Sequence, residues 1–322
     1  MIAHDVMTYV SARSVGFRDV PVTLRPYSYG EVDRDRYNPS YAWEMREGGT
    51  PVVSSDNPYF DEQEYYGSSV RYSVLRGDEA SRDDAVSALE VLSLYSAEPD
   101  WGMDRELELS PLQKLTAGSQ GYRHLRYGFF LFRAGVAHRR ALHFQSLAAH
   151  AFDRGDPYWG LRFSARALHY IQDILSPYHL KPIPEWYWIP RLFRLRAVYH
   201  TIFNYHLNFE GYTGYHLWHG TQRFIRCIEG AGPKAIGDLK QDLLRASWKV
   251  RMLFYGIFGE CRKMWGESLS EGFRRLGRDW IEEYTPSERL NLLICRWLTL
   301  ASSYVKGYIL KDVLPYMEKG NR

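Results

Sequence analysis

Apolar residues recur with a helical period through most of the chain after about residue 80, and fail to do so over much of what precedes it. Residues 4 to about 14 predict a short helix. Val15 to about Asp78 is dense in Gly, Pro, Tyr and acidic residues, which predicts an irregular insertion with a few short strands. Ser81, with Asp83 and Asp84 behind it, then opens the run Ala85, Val86, Leu89, Leu92 and Leu94, the pattern of a capped helix that ends before Pro99. Two long segments follow, Phe129 to Phe152 and Pro157 to Ile174, separated by the turn sequence Asp153-Arg154-Gly155-Asp156. Pro157 suits a first helical turn, where its missing N–H costs nothing. Further helices are predicted over about Trp186 to Glu210, Leu239 to Met264 and Pro286 to Met317. No alternation of strands with helices and no internal repeat is present. The expectation is an all-α fold, 1–322 as one mostly helical domain with 15–80 as an irregular insertion.

Charge and composition narrow this only by exclusion. The 41 basic and 38 acidic residues leave a formal +3, so charge alone makes no case for a nucleic-acid or anionic-membrane partner. Cys227, Cys261 and Cys295 are far apart and odd in number, which excludes a complete internal disulfide set and predicts reduced, buried thiols. No apolar run reaches the length of a membrane span, and Met1 to Asp5 lack the basic region and apolar core of a secretory signal. These features predict a cytoplasmic protein or one peripheral to a membrane.

Candidate chemistry concentrates in His169-Tyr170-Ile171-Gln172-Asp173-Ile174-Leu175-Ser176-Pro177-Tyr178-His179. A helix places His169 and Asp173, four apart, one above the other on one face, where they could chelate one metal or simply form an ion pair. The apolar company of Ala165, Ala167, Leu168, Ile171 and Ile174 favours the metal, because buried charge must be paired or metal-bound. Pro177 ends the helix and lets the chain bring His179 back. His206 and Glu210 repeat the four-residue spacing on a later helix. Two such pairs in one helical protein point to a metal site in a bundle core.

His169-x3-Asp173-x5-His179 followed by His206-x3-Glu210 resembles the zinc-dependent phospholipase C family, whose scaffold is shared by the trinuclear zinc nucleases. The resemblance covers about residues 82 to 210. It implies a phospholipase C/zinc nuclease-like helical fold and an upstream zinc histidine, for which His124 is preferred over His138, His143 and His150. It also implies an upstream carboxylate, Asp100 in Glu98-Pro99-Asp100-Trp101, with Asp104 as the alternative. His4 resembles the histidine of a short amino-terminal helix that binds a third zinc. There the chain departs from the family, which commonly adds a processed amino-terminal Trp as a ligand, whereas Met1 lies three residues before His4. The implied sets are Asp100, His124, His169 and Asp173 for a first zinc, and His179, His206 and Glu210 for a second. His4 and a bridging Asp173 would hold a third. Manganese or iron would suit the same donors, but zinc, two or three ions per chain, is what the resemblance implies.

The implied activity is hydrolysis of a phosphodiester by a metal-activated hydroxide, with Asp100 as a catalytic residue that orients the water or accepts its proton. A phospholipid is the first substrate expected, because Trp186, Tyr187, Trp188, Arg191, Phe193 and Arg194 make a segment of interfacial composition suited to peripheral membrane contact. Single-stranded nucleic acid is the alternative, with Tyr212, Tyr215, His216, Trp218 and His219 as stacking candidates. A helical protein with a purely structural metal site is a third reading.

Overall fold

The computed structural model describes residues 3–23, 25, 85–101, 109–116, 118–129, 132–274, 277, 281 and 287–319, and these are mostly helical, as expected. Asp104 and, within the 15–80 insertion, residues 24 and 26–80 lie outside the described residues.

The helix α1 (His4–Ser14) leads to the strand β1 (Pro21–Thr23). The run beginning at Ala85, expected to be helical throughout, starts as a strand, β2 (Ala85–Ser87), antiparallel to β1 with Val22 opposite Val86. Val86 points inward there and Ala85 outward, an alternation that three residues cannot distinguish from the start of a helix. Ser87 caps the helix α2 (Ala88–Leu94), its Oγ accepting from the Glu90 amide at 3.0 Å, and Ser81, the expected opening residue, lies outside the described residues. A 3-10 helix (Tyr95–Trp101) continues it through Pro99.

After the helix α3 (Gly118–His124), the strands β3 (Tyr127–Phe129) and β4 (Phe132–Ala134) form a hairpin where a helix from Phe129 was expected. Helix α4 therefore begins only at Ala137 and runs to Asp153. Gly135 forces the break. Its φ is +102°, and a Cβ there would sit 1.9 Å from the Leu125 carbonyl oxygen. Gly135→Ala is expected to cost about 3 kcal/mol or more in urea unfolding, since strain and overlap combine. Gly155→Ala, also at positive φ but in open space, should cost only about 1–2 kcal/mol.

Helix α5 (Pro157–Ile174) is the centre of the molecule. Asp156 caps it through the Trp159 amide at 3.2 Å, Pro157 opens it, and every residue after Pro157 is buried. A helix sheltered on all sides needs no polar face. It packs against α4, α2, the 95–101 turn and the later helix α11. One turn, α6 (Pro177–Leu180), follows immediately.

The expected helix over Trp186 to Glu210 is three elements: α7 (Glu185–Trp188), a 3-10 turn (Ile189–Arg194) and the long α8 (Leu195–Trp218). Pro190 lacks a helical donor, and Arg191 leaves helical geometry at φ −107°, ψ 16°. Then come α9 (Gln222–Glu229), which periodicity did not reveal, α10 (Leu239–Trp265), and α11 (Glu288–Tyr308) with a π turn (Ile309–Val313) and α12 (Leu314–Lys319). The thiols are free. Cys261 is buried as expected, but Cys227 and Cys295 are half-exposed.

Candidate metal centre

Six elements deliver eight donor side chains to one place. α1 brings His4, the 95–101 turn Asp100, α3 His124, α5 both His169 and Asp173, α6 His179, and α8 both His206 and Glu210. All eight residues singled out in the sequence fall into three adjoining groups of donors, whereas His138, His143 and His150 lie on α4 and belong to none of them.

Asp173 is the hub. Its Oδ2 lies 2.7 Å from His124 Nδ1 and 3.1 Å from His169 Nε2, while Oδ1 lies 2.8 Å from His179 Nδ1 and 3.6 Å from His4 Nε2. Asp100 faces His4 Nε2 at 3.7 Å, His124 Nδ1 at 3.8 Å and His169 Nε2 at 3.9 Å. The second group is tighter. Glu210 Oε1 is 2.8 Å from His179 Nε2 and 2.9 Å from His206 Nε2, and those two nitrogens are 3.0 Å apart.

The surroundings fix which ring nitrogen faces inward. His4 Nδ1 donates to Gln172 Oε1 at 2.9 Å, and the Gln172 amide is itself oriented by donating to Thr8 Oγ1 at 2.8 Å. His169 Nδ1 donates to the Ser96 carbonyl at 2.7 Å. Both rings therefore turn a lone pair on Nε2 into the cluster, as metal-ligating imidazoles do. His124 differs, because Arg123 Nε donates to its outer Nε2 at 3.1 Å and leaves the proton on Nδ1, facing Asp173. A cation would have to displace that proton.

Among the protein groups alone, burial opposes every charge here, and the outcome depends on neighbours. Burial, reinforced by His169, pushes His4 down to about 4. For His179 the attraction of Asp173 and Glu210 outweighs burial and carries it up to about 10. Asp173 is held well below the usual carboxylate range because His169, His179 and His124 overcome its burial, and Glu210 likewise through His206 and His179. Asp100 is lowered by His169, His124 and His4 against its burial.

These residues fit a cluster of divalent cations. Three ionised carboxylates are gathered in one buried place, an arrangement that requires compensating positive charge. Asp173 Oδ1 and His179 Nδ1, 2.8 Å apart, are out of line for a hydrogen bond, so both are orphaned polar atoms with no exposure to water. The donors are all imidazole or carboxylate. Their separations of 2.7 to 3.9 Å bracket the edge of about 3.3 Å of a tetrahedron with zinc-like bond lengths.

Periodicity gave no reason to single out the supporting residues. Glu98 is buried between Arg162 Nη2 at 2.7 Å and Arg166 Nε at 2.8 Å, and Arg123 donates to the Pro99 carbonyl. These contacts hold the turn that carries Asp100 and the Ser96 carbonyl. Gln172, between His169 and Asp173, could have been suspected from its place on the ligand-bearing helix. By contrast Tyr212 and Tyr215, considered as open stacking platforms, are buried.

Compared with known proteins, the chain matches no family model, no curated protein and no solved structure.

Proposed function

We propose that the protein is a zinc-dependent phosphodiester hydrolase of the phospholipase C kind. The observation that carries this reading is the convergence of His4, Asp100, His124, His169, Asp173, His179, His206 and Glu210 from six elements into one largely buried cluster. Zinc ions held there would supply Lewis acidity, lowering the pKa of a water and neutralising phosphoryl oxygens. His179, His206 and Glu210 form one binding group. Asp100, His124 and His169 form another, His4 a third edge, and Asp173 spans them with its two oxygens.

Two features favour catalysis over a structural staple. The side chains of Asp100 and His206 are 18% and 20% exposed, so the cluster reaches solvent at two edges, whereas a structural zinc site is closed. Asp100 is also ionised, which places a proton acceptor at one of those openings. Between substrates, Tyr212 and Tyr215 are buried and unavailable for base stacking while His216, Trp218 and His219 are partly exposed, and lipid is favoured because the exposed apolar side chains lie on the segment of interfacial composition, Trp186, Phe193 and Leu195 among them.

The test is metal content by elemental mass spectrometry on protein purified without chelator or metal-affinity tag, beside His169→Ala. Two or three zinc ions per chain, sharply reduced in the variant, are expected. Hydrolysis of bis(p-nitrophenyl) phosphate should fall with them. No tightly held metal after zinc is resupplied would overturn the proposal.

A further inference from the structure

The segment joining α7 to α8 exposes apolar side chains that an aqueous surface gives no reason to keep. Phe193 is fully exposed at 102%, Leu195 is 66% and Trp186 50% exposed, and Ile189 and Leu192 are open beside them. The patch continues along α8 through Tyr199 to Phe273, whose ring lies 5.8 Å from Tyr199 and 5.9 Å from Phe203. A contiguous protrusion of this kind marks an interaction site, unlike scattered single residues.

Charge says what it meets. From Trp186 to Phe209 the sequence contains no Asp or Glu but three arginines, Arg191, Arg194 and Arg196. Arg194 and Arg196 are exposed among the apolar side chains. Arg191 stacks 4.1 Å over the Tyr187 ring and donates to the Tyr187 carbonyl, stiffening the turn. Trp, Phe and Leu at the tip with arginines interleaved are the side chains that enter the headgroup layer of an anionic bilayer, the rings and chains below and the guanidiniums at the phosphates. No helix among the described residues is long and apolar enough to cross a membrane, so such contact is peripheral.

The patch also points along the helix towards the metal centre. At about 100° per residue, Leu195, Tyr199, His206 and Glu210 fall within roughly 60° of one another on α8, and Leu195 to His206 spans about 16 Å. The exposed tip and two of the ligands thus share one stripe of one rigid helix.

We infer that the protrusion formed by Trp186, Ile189, Leu192, Phe193 and Leu195, with Arg194 and Arg196, docks the protein on the surface of an anionic phospholipid bilayer. This rests on the surface alone. Only its consequence, that the substrate is a lipid presented at that surface, rests on the hydrolase reading.

The test is cosedimentation of the full-length protein with sucrose-loaded vesicles of phosphatidylcholine alone and of phosphatidylcholine with phosphatidylglycerol at 7:3. The readout counts bound protein, so it stands whether or not the cluster hydrolyses anything. Binding is expected to the anionic vesicles, weakened by high salt. Phe193→Ser should lower it about tenfold, and its full exposure makes a folding defect an unsuitable explanation. Arg194→Glu and Arg196→Glu should each lower it by about fivefold or more and erase the preference for anionic lipid. No partition onto either vesicle, or binding indifferent to Phe193→Ser, overturns the inference. So does a dimer in sedimentation velocity that Phe193→Ser dissociates without any vesicle binding, which would make the patch an interface between copies of this chain.

Discussion

Asp173→Asn is expected to strip the cluster of most of its metal and to reduce phosphodiester hydrolysis by well over about 100-fold. Outer residues that merely orient a ligand commonly cost 10–100-fold in affinity or activity, and Asp173 is the group to which the ligands themselves converge. It touches His124, His169 and His179 within 3.1 Å and faces His4. The amide keeps the shape but replaces one acceptor oxygen with a donor NH2, and it removes the charge that raises the pKa of both His169 and His179 against their burial. Metal per chain and turnover of bis(p-nitrophenyl) phosphate check this together. A variant with unchanged zinc and rate would rule out a bridging role. Thermal stability supplies a second readout, because metal that binds only the folded chain stabilises it.

Glu98→Gln is expected to lower stability by about 3–5 kcal/mol, a fall in Tm of roughly 10 °C, although Glu98 is not among the ligands. Glu98 is 1% exposed and holds two buried arginines, with Arg162 also stacked 4.0 Å over the Tyr95 ring. Replacing the carboxylate with a neutral amide takes the Glu98 charge away from two guanidiniums in a place water does not reach. The damage should extend to the metal centre, since the same turn carries Asp100 and the Ser96 carbonyl that orients His169. Glu288→Gln, which breaks the exposed pair with Arg223, is the control and should leave unfolding unchanged. Equal melting temperatures for the two variants would show that the buried ion group carries no stability.

Helix content was legible wherever apolar spacing ran long enough. The sequence marks both ends of α5, Pro157 to Ile174, because Pro157 and the breaker Pro177 bound an uninterrupted periodic run. Boundaries failed where a short segment satisfied two periods at once, as at Ala85–Ser87, or where one residue's backbone decided the outcome, as at Gly135 and Arg191. The short, strongly amphipathic α9 spans only eight residues, too few for its periodicity to stand out between two longer neighbours.

For the site, spacing within a helix determined the pairs His169 with Asp173 and His206 with Glu210, since a four-residue interval fixes two side chains on one face whatever the rest of the chain does. Their chemical type, imidazole and carboxylate without thiolate, was likewise a property of the sequence. What brought His4 to Gln172 across 168 residues, and Asp100 on the 95–101 turn to His124 on α3, was packing around α5. Which nitrogen of each ring faces inward was also a tertiary decision, made by the Ser96 carbonyl and the Gln172 amide. Local periodicity encodes which faces are apolar and which residues share them, but the meeting of two faces depends on burial summed over the whole core, and no stretch of sequence contains that sum.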